Sequence, residues 1–281
     1  MSETENSPIK RTVLDYNDIR EMAPFFDGKK KLVNGLMKFL SIDKVNYLHE
    51  HNCDTPGAPF VKGILDDLNI KLRVDNEEIL DKMGNVPFIT VSNHPFGALD
   101  GISLIHIMAS RYPQYKVMVN MILNYISAMR PNFIAVDPLV SNDPKKKAVS
   151  MKGIREAMMQ VKRGYPLGFF PAGAVGKLTW KLHIEDREWQ SSVIRLIQQL
   201  KVPVIPIFFH GQNSWWFTFL GMISWQIRTL RLPAEVFRRK NSTIHVTVGE
   251  PIMPDDYAAF TDVKELGEYL KGRTYKLRDV K

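Results

Sequence analysis

Cysteine is almost absent: Cys53 is the only one in 281 residues. That excludes an intrachain disulfide and a CxxC redox pair, and it leaves too few thiols for a cysteine-rich zinc site. A reducing compartment suits such a chain. HExxH is missing, and His106, His183 and His245 have no partner at metal-ligand spacing, so no metal is expected. Also missing are the GxSxG nucleophile elbow and the GxGxxG and GxxxxGK[ST] phosphate loops, which argues against a serine acyl-enzyme and a nucleotide site. No uncharged apolar run reaches the roughly 18 residues that cross a bilayer. The first dozen residues lack the apolar centre of a signal peptide and read as disordered. A soluble or peripheral protein is expected.

Positive charge is in excess. Thirty-eight Lys and Arg against 30 Asp and Glu leave +8, which favours an anionic partner: a membrane surface, a nucleic acid or an acidic carrier protein. Charge alone does not choose among them. With 44% hydrophobic and 24% charged residues the composition is that of an ordinary globular chain with a sizeable core.

Two regions differ in their apolar periodicity. From residue 18 to about 73 the spacing is helical, broken at Asp27-Gly28 and at residues 55–59, so residues 1–75 read as an N-terminal helical, partly disordered and membrane-associated subdomain. Within it, residues 29–40 pair a basic side with a Leu/Val/Met/Phe side. Such a helix suits an anionic interface, and it equally suits the surface of a core. Over residues 76–281 short apolar strands (near 86–92, 116–122, 132–137, 166–171, 203–209 and 243–249) alternate with helices (near 101–111, 145–163, 188–200 and 262–279). This alternation predicts an α/β fold whose central sheet is covered on both faces. Residues 138–147 read as a loop ending in a solvated basic cluster.

The chemistry concentrates after two of those strands. Asn93-His-Pro-Phe-Gly-Ala-Leu-Asp100 sets an imidazole and a carboxylate on a tight loop at the edge where open sheets bind ligands. A carboxylate on Nδ1 would orient His94 as a general base and favour the imidazolium it forms. Gly168-Phe-Phe-Pro-Ala-Gly-Ala-Val-Gly176 is a strand that breaks at Pro171 into a loop of small residues, including Ala172 and Gly173. Its backbone N–H groups could meet an oxyanion or a phosphate.

Together these motifs resemble the glycerophospholipid acyltransferase superfamily, with its His-x4-Asp and later Phe-Pro-Glu-Gly motifs. Residues 131–138, Pro-Asn-Phe-Ile-Ala-Val-Asp-Pro, fall where that family has its Gly-x-Ile-x-x-Asp-Arg acceptor motif, and Val202-Pro-Val-Ile-Pro206 matches its late Val-Pro-x-x-Pro strand. The resemblance implies a mostly parallel central sheet flanked by helices, as in glycerol-3-phosphate acyltransferase. It implies His94 and Asp100 as catalytic residues, residues 171–173 as the oxyanion or acceptor loop, and Ile134 and Asp137 as acceptor-binding residues, to which Lys177 is added as a point charge near the acceptor. Asn93 and His210 are supporting candidates. The acyl donor would be a thioester of acyl carrier protein or coenzyme A, with no bound cofactor.

Departures from the pattern narrow the acceptor. Five residues rather than four separate His94 from Asp100, which is similar to the hemolysin-like branch associated with amino-acid-containing lipids, as is Asp186-Arg-Glu-Trp-Gln190. Ala172 replaces the motif glutamate, the run at residues 174–176 replaces one arginine, and Pro138 replaces another. A guanidinium fork is the natural clamp for a phosphate monoester, so its loss argues against lysophosphatidic acid. Lys177, Lys181 or Arg187 could supply point charges instead. The expected acceptor is a lyso-glycine or lyso-ornithine lipid, with lysophosphatidic acid as the enzyme rival.

Residues 214–227 carry Trp215, Trp216 and Trp225 with two phenylalanines, followed by Arg228, Arg231, Arg238, Arg239 and Lys240. This is the composition of an interfacial segment on the cytoplasmic face of a membrane. A buried core helix is the alternative. A nucleic-acid-binding protein, suggested by charge alone, lacks any RNP1-like motif, KH loop or zinc finger and leaves the His94 loop unexplained. A catalytically inactive membrane adaptor, suggested by Ala172, is weighed against by the retained His94 and Asp100.

Overall fold

The apolar runs that alternate with helices pair into a seven-stranded sheet, seen in a computed structural model that describes residues 9–137, 144–178, 184–223 and 225–280. Its strands are β1 (Lys71–Asp75), β2 (Ile89–Ser92), β3 (Lys116–Asn120), β4 (Phe133–Val136) and β5 (Leu167–Phe169), with two later ones. Between them in the chain, β6 (Lys177–Leu178) and β7 (Ile184–Glu185) form a separate antiparallel pair. The remaining sheet strands are β8 (Val204–His210) and β9 (Thr243–Val248), and the spatial order is β1-β9-β8-β2-β5-β3-β4. The five strands from β8 to β4 run parallel. At the other edge β9 runs antiparallel to β8, and β1 runs parallel to β9.

Parallel neighbours need crossover connections, and helices provide them on both faces. The chain supplies α1 (Tyr16–Met22), α2 (Lys30–Phe39), α3 (Ile42–Asn52), α4 (Ala58–Asp67) and α5 (Glu78–Lys82) before the second strand. Then come α6 (Ala98–Ala109) between β2 and β3, α7 (Pro144–Lys162) between β4 and β5, and α8 (Ser191–Leu200) before β8. Three short helices follow: α9 (Trp215–Ile223), α10 (Trp225–Leu230) and α11 (Leu232–Arg238). After β9 the chain ends in α12 (Pro254–Ala258) and α13 (Val263–Lys276). Ile89 and Val91 pack with Ala157, Ile197 and Leu270 from α7, α8 and α13, whereas Ile205, Ile207 and Phe209 pack on the other face with Phe60, Leu104 and Met108 from α4 and α6.

Gly168 shows how tightly the centre is built. The Tyr115 hydroxyl crosses β5 to meet Thr90 Oγ1 at 2.6 Å, and a Cβ at Gly168 would fall 2.0 Å from that hydroxyl. No other residue leaves this crossing open.

The strands and helices expected beyond residue 76 are all present, each within a few residues of the expected position. The N-terminal part differs. The helical pattern read to about residue 73 stops earlier, and Lys71–Asp75 is an edge strand whose register sets Leu72 against Ile244 and Val74 against Val246. Its partner lies some 170 residues along the chain, a long-range pairing that no local period reveals. The boundary drawn at residue 75 therefore falls after the sheet's first strand, and α3 and α4 contribute Leu48, Phe60, Val61 and Ile64 to the same apolar cluster as the sheet. Residues 9–12, expected to be disordered, are tied to α3: the His49 ring meets the Arg11 carbonyl at 2.9 Å, and Arg11 pairs with Asp54 at 3.0 Å. The remaining residues of that expected tail, 1–8, and the expected loop through residue 143, lie outside the described residues.

Candidate active site

β2, β5 and β8 end side by side, so the loops that follow them share one edge of the sheet. Asn93 carries the chain out of β2. Its amide donates to the Phe209 carbonyl at 2.9 Å and its side-chain oxygen accepts from the Phe209 N–H at 2.7 Å, a side-chain continuation of the strand ladder. His94 comes next, and the chain then turns through Gly97 at φ +80° into α6. A Cβ at Gly97 would lie 2.8 Å from Leu232 Cδ2 and 3.2 Å from Val175 Cγ2 with φ in the left-handed region, so glycine suits both the turn and the packing here.

Asp100 is the third residue of α6 and is completely buried. One carboxylate oxygen accepts from the N–H groups of Phe96 at 2.8 Å and Gly97 at 2.9 Å, and it lies 3.0 Å from His94 Nδ1. The N-terminal end of a helix favours that negative charge. Burial pushes the Asp100 carboxyl up, and the His94 side chain and the two amides pull it back. Because Nδ1 faces the carboxylate, Nε2 is the nitrogen left to meet a substrate.

The rest of His94 is clamped. Its N–H donates to Asp186 Oδ1 at 3.1 Å, its carbonyl accepts from the Gly176 N–H at 3.3 Å, and its ring lies 4.4 Å from the Phe170 ring. The Asp-Arg-Glu-Trp-Gln run now has a physical role. Trp189 Nε1 donates to the other Asp186 oxygen at 3.3 Å, the Gln190 N–H donates to the Pro171 carbonyl at 2.9 Å, and a Cβ at Gly173 would fall 1.8 Å from Gln190 Nε2. The run braces both site loops at once. Burial pushes the Asp186 carboxyl up, opposed first by the His94 N–H.

The other expected site residues fare differently. Pro171, Ala172 and Gly173 occupy the loop beside His94, but the Gly173 N–H is used inside its own turn, donating to the Phe170 carbonyl at 2.9 Å. Gly173 therefore serves through its φ of +65°, not as an oxyanion donor. Ala172 is buried against the cluster holding Trp189, where a glutamate would carry its charge into apolar surroundings. Ile134 is wholly buried with Ala157, Val161 and Leu167, so it packs the core and cannot touch an acceptor. Asp137 follows β4 on the same edge, three strand spacings from β2, roughly 14 Å at the usual inter-strand distance. Lys177 opens β6, and its side chain lies outside those described.

His210 turns away from the site. Side chains alternate along a strand, and Phe209, its neighbour, packs toward Phe170 with ring centroids 6.3 Å apart. His210 instead meets Thr247 Oγ1 at 2.8 Å and stacks on His245 at 4.1 Å. Trp215 and Trp216 on α9 are exposed, at 69% and 67%, while Phe217 points inward. The Trp225 side chain lies outside those described.

One site residue escaped the sequence reading. Arg228, taken for part of a surface basic cluster, is buried, and its guanidinium donates to the carbonyls of Gly176 at 2.9 Å and Val175 at 3.2 Å. Its only sequence signal is its place after an aromatic helix.

No helix among the described residues is long and apolar enough to cross a membrane. Among curated proteins, a lyso-glycine lipid O-acyltransferase of Bacteroides thetaiotaomicron is 29% identical over 255 residues, covering 88% of this chain and 90% of the relative. A protein of the same name from Phocaeicola vulgatus is 24% identical over 276 residues, covering 92% and 94%. A solved structure, the 1-acyl-sn-glycerophosphate (LPA) acyltransferase PlsC of Thermotoga maritima, superposes with a TM-score of 0.49 at 16% identity over 79% of this chain and 80% of that one. A family model described as acyltransferase matches residues 30–281, and with most of its length inside that match the chain belongs to the acyltransferase family.

Proposed function

We propose that this acyltransferase moves a fatty acyl group from a thioester of acyl carrier protein or coenzyme A to the hydroxyl of a lyso-aminolipid, a lyso-glycine lipid first and lyso-ornithine second. The observation that carries the reading is the similarity, over about nine-tenths of the chain, to two lyso-glycine lipid O-acyltransferases, together with a partly exposed histidine oriented by a buried carboxylate at the sheet edge. His94 Nε2 takes the hydroxyl proton as that oxygen attacks the thioester carbonyl. The tetrahedral intermediate collapses with cleavage of the C–S bond, and the departing thiolate takes the proton back from the imidazolium. No acyl-enzyme is needed. The amides of Ala174 and Val175 are assigned to the oxyanion, since those of Gly173 and Gly176 are already given to carbonyls.

The protein works at the cytoplasmic face of a membrane without crossing it. Supporting this are the exposed Trp215 and Trp216 and, on α2, exposed Leu32 and Phe39. The Arg231 guanidinium lies 5.5 Å from the Phe39 ring, so cations and apolar rings of the two segments meet. The excess positive charge suits both anionic head groups and an acidic carrier.

Lipid mass spectrometry on cells expressing wild type or His94→Ala, supplied with lyso-glycine, lyso-ornithine and lysophosphatidic acids, tests the acceptor. A diacylated aminolipid dependent on His94 is expected. Gain of phosphatidic acid alone would replace the acceptor with lysophosphatidic acid, and no product from any lyso-lipid would favour an inactive adaptor.

A further inference from the structure

Arg228 is only 6% exposed, yet among the described residues no carboxylate faces it. Two of its five N–H donors are given to the Gly176 and Val175 carbonyls, and its guanidinium lies 5.5 Å from the Phe217 ring. Burial pushes its pKa down, and the charged side chain that acts on it is Arg187, of the same sign. A buried cation beside a second cation is costly unless an anion joins them.

The position matters as much as the charge. Gly176, whose carbonyl Arg228 holds, gives its N–H to the His94 carbonyl, and Arg187 directly follows Asp186, which holds the His94 N–H. A Cβ at Gly176 would lie 3.0 Å from the Glu185 carbonyl, so the two segments are in contact. The Arg228 guanidinium therefore borders the loops that carry the proposed general base, and the Arg187 backbone lies in the segment that braces them. Arg187 is exposed and gives an approach from solvent.

We propose that Arg228 and Arg187 form a clamp for the carboxylate of the acceptor's amino-acid head group. The clamp rests on the lyso-aminolipid reading above. It would take over from the two arginines that the family pattern places after the Phe-Pro-Glu-Gly motif and after Asp137, where this chain has small residues and Pro138. A guanidinium fork from a different part of the chain then supplies the same bidentate chemistry to a carboxylate.

The test compares the lyso-glycine lipid free acid with its neutral glycinamide on the purified full-length protein. Wild type is expected to favour the free acid by roughly 10- to 100-fold in kcat/KM, the scale of a charge-assisted hydrogen-bond pair. Arg187→Gln should raise KM for the free acid, leave the amide unchanged and leave the thioester KM unchanged. Arg228→Lys, with its thermal midpoint monitored, should lower kcat for acid and amide alike because this side chain also holds two loop carbonyls, and should in addition raise KM for the free acid but not for the amide. Equal turnover of acid and amide by wild type overturns the clamp while leaving the acceptor intact. A rise in thioester KM in Arg187→Gln also overturns it, assigning the cations to donor phosphate. Wild type that acylates only lysophosphatidic acid would sink the acceptor reading itself, and the clamp with it.

Discussion

His94–Asp100 at the end of β2 and His245–Asp75 at the antiparallel edge of the sheet set the same two side chains against each other in different surroundings. Asp100 is wholly buried, which pushes its carboxyl up, while His94 and two amides at the helix N-terminus pull it back. Asp75 keeps 22% side-chain exposure and has Arg73 Nε at 3.2 Å; its hydrogen bond with His245 pulls its carboxyl down, against a smaller effect of burial. His94 is fixed at its N–H, carbonyl and ring, whereas His245 on β9 stacks on His210 of β8, in a row of side chains that reaches Asp75 on the edge strand β1. A histidine and a carboxylate within reach do not make a general base. What distinguishes the first pair is its preorganisation, with a wholly buried carboxylate held by two amides and a partly exposed imidazole clamped at the sheet edge, which suits the proposed role.

The comparison can be broken at its strongest point first. His94→Ala should lower kcat/KM for acyl transfer by about 10²- to 10⁴-fold, the usual contribution of general acid–base catalysis, while His245→Ala leaves it within about twofold. Steady-state assays on the two variants in parallel decide this. Equal losses would mean that both pairs serve the reaction.

Asp100→Asn sharpens the same contrast through pH. Loss of the orienting charge should reduce the rate by about 10²-fold. For stability the sign is opposite. With its folded pKa above the unfolded value of about 3.9, Asp100 favours the fold most at pH below that value, and this contribution is lost as pH rises through the folded pKa. Denaturant titrations at several pH values should therefore show the variant losing less stability than wild type on going from acid to neutral pH; a steeper loss would reverse the assignment.

Asp75→Asn should have the smallest effect. Its lowered folded pKa gives a contribution present above about pH 3.9 and lost as pH falls through the folded value, and a partly exposed pair of this kind, screened by solvent, contributes on the order of 1 kcal/mol or less. Acid denaturation midpoints should shift slightly, with acyl transfer unchanged. A large fall in rate would show that the edge pair reaches the reaction.

The residues that meet at the candidate site were partly legible because they are local in the chain. His94, Asp100 and Pro171 stand next to strands whose apolar runs are visible in the sequence, and parallel pairing then brings their loops to one edge. The misreadings share one cause. Ile134 and His210 lie in motif-like or strand-end positions, but strand alternation and core packing decide which way such side chains point. The helical period around β1 concealed a strand whose partner is distant in the chain. Arg228 carried no local sign of burial; its role depends on α10 folding back against the loop after β5.

Sequence by itself determined the alternating α/β plan, the nearness of His94 and Asp100 on the loop after one strand, and the absence of arginine after Asp137 and at residues 174–176, because each is written in residues close together. Tertiary structure decided that Asp186, Trp189 and Gln190 brace the two candidate-site loops, that the Gly173 N–H is already occupied, and that a distant guanidinium is buried against the loop after β5 with no carboxylate facing it among the described residues. The physical reason is that burial and pairing belong to contacts between segments far apart in the chain, and those contacts set the energetic cost of every charge they enclose.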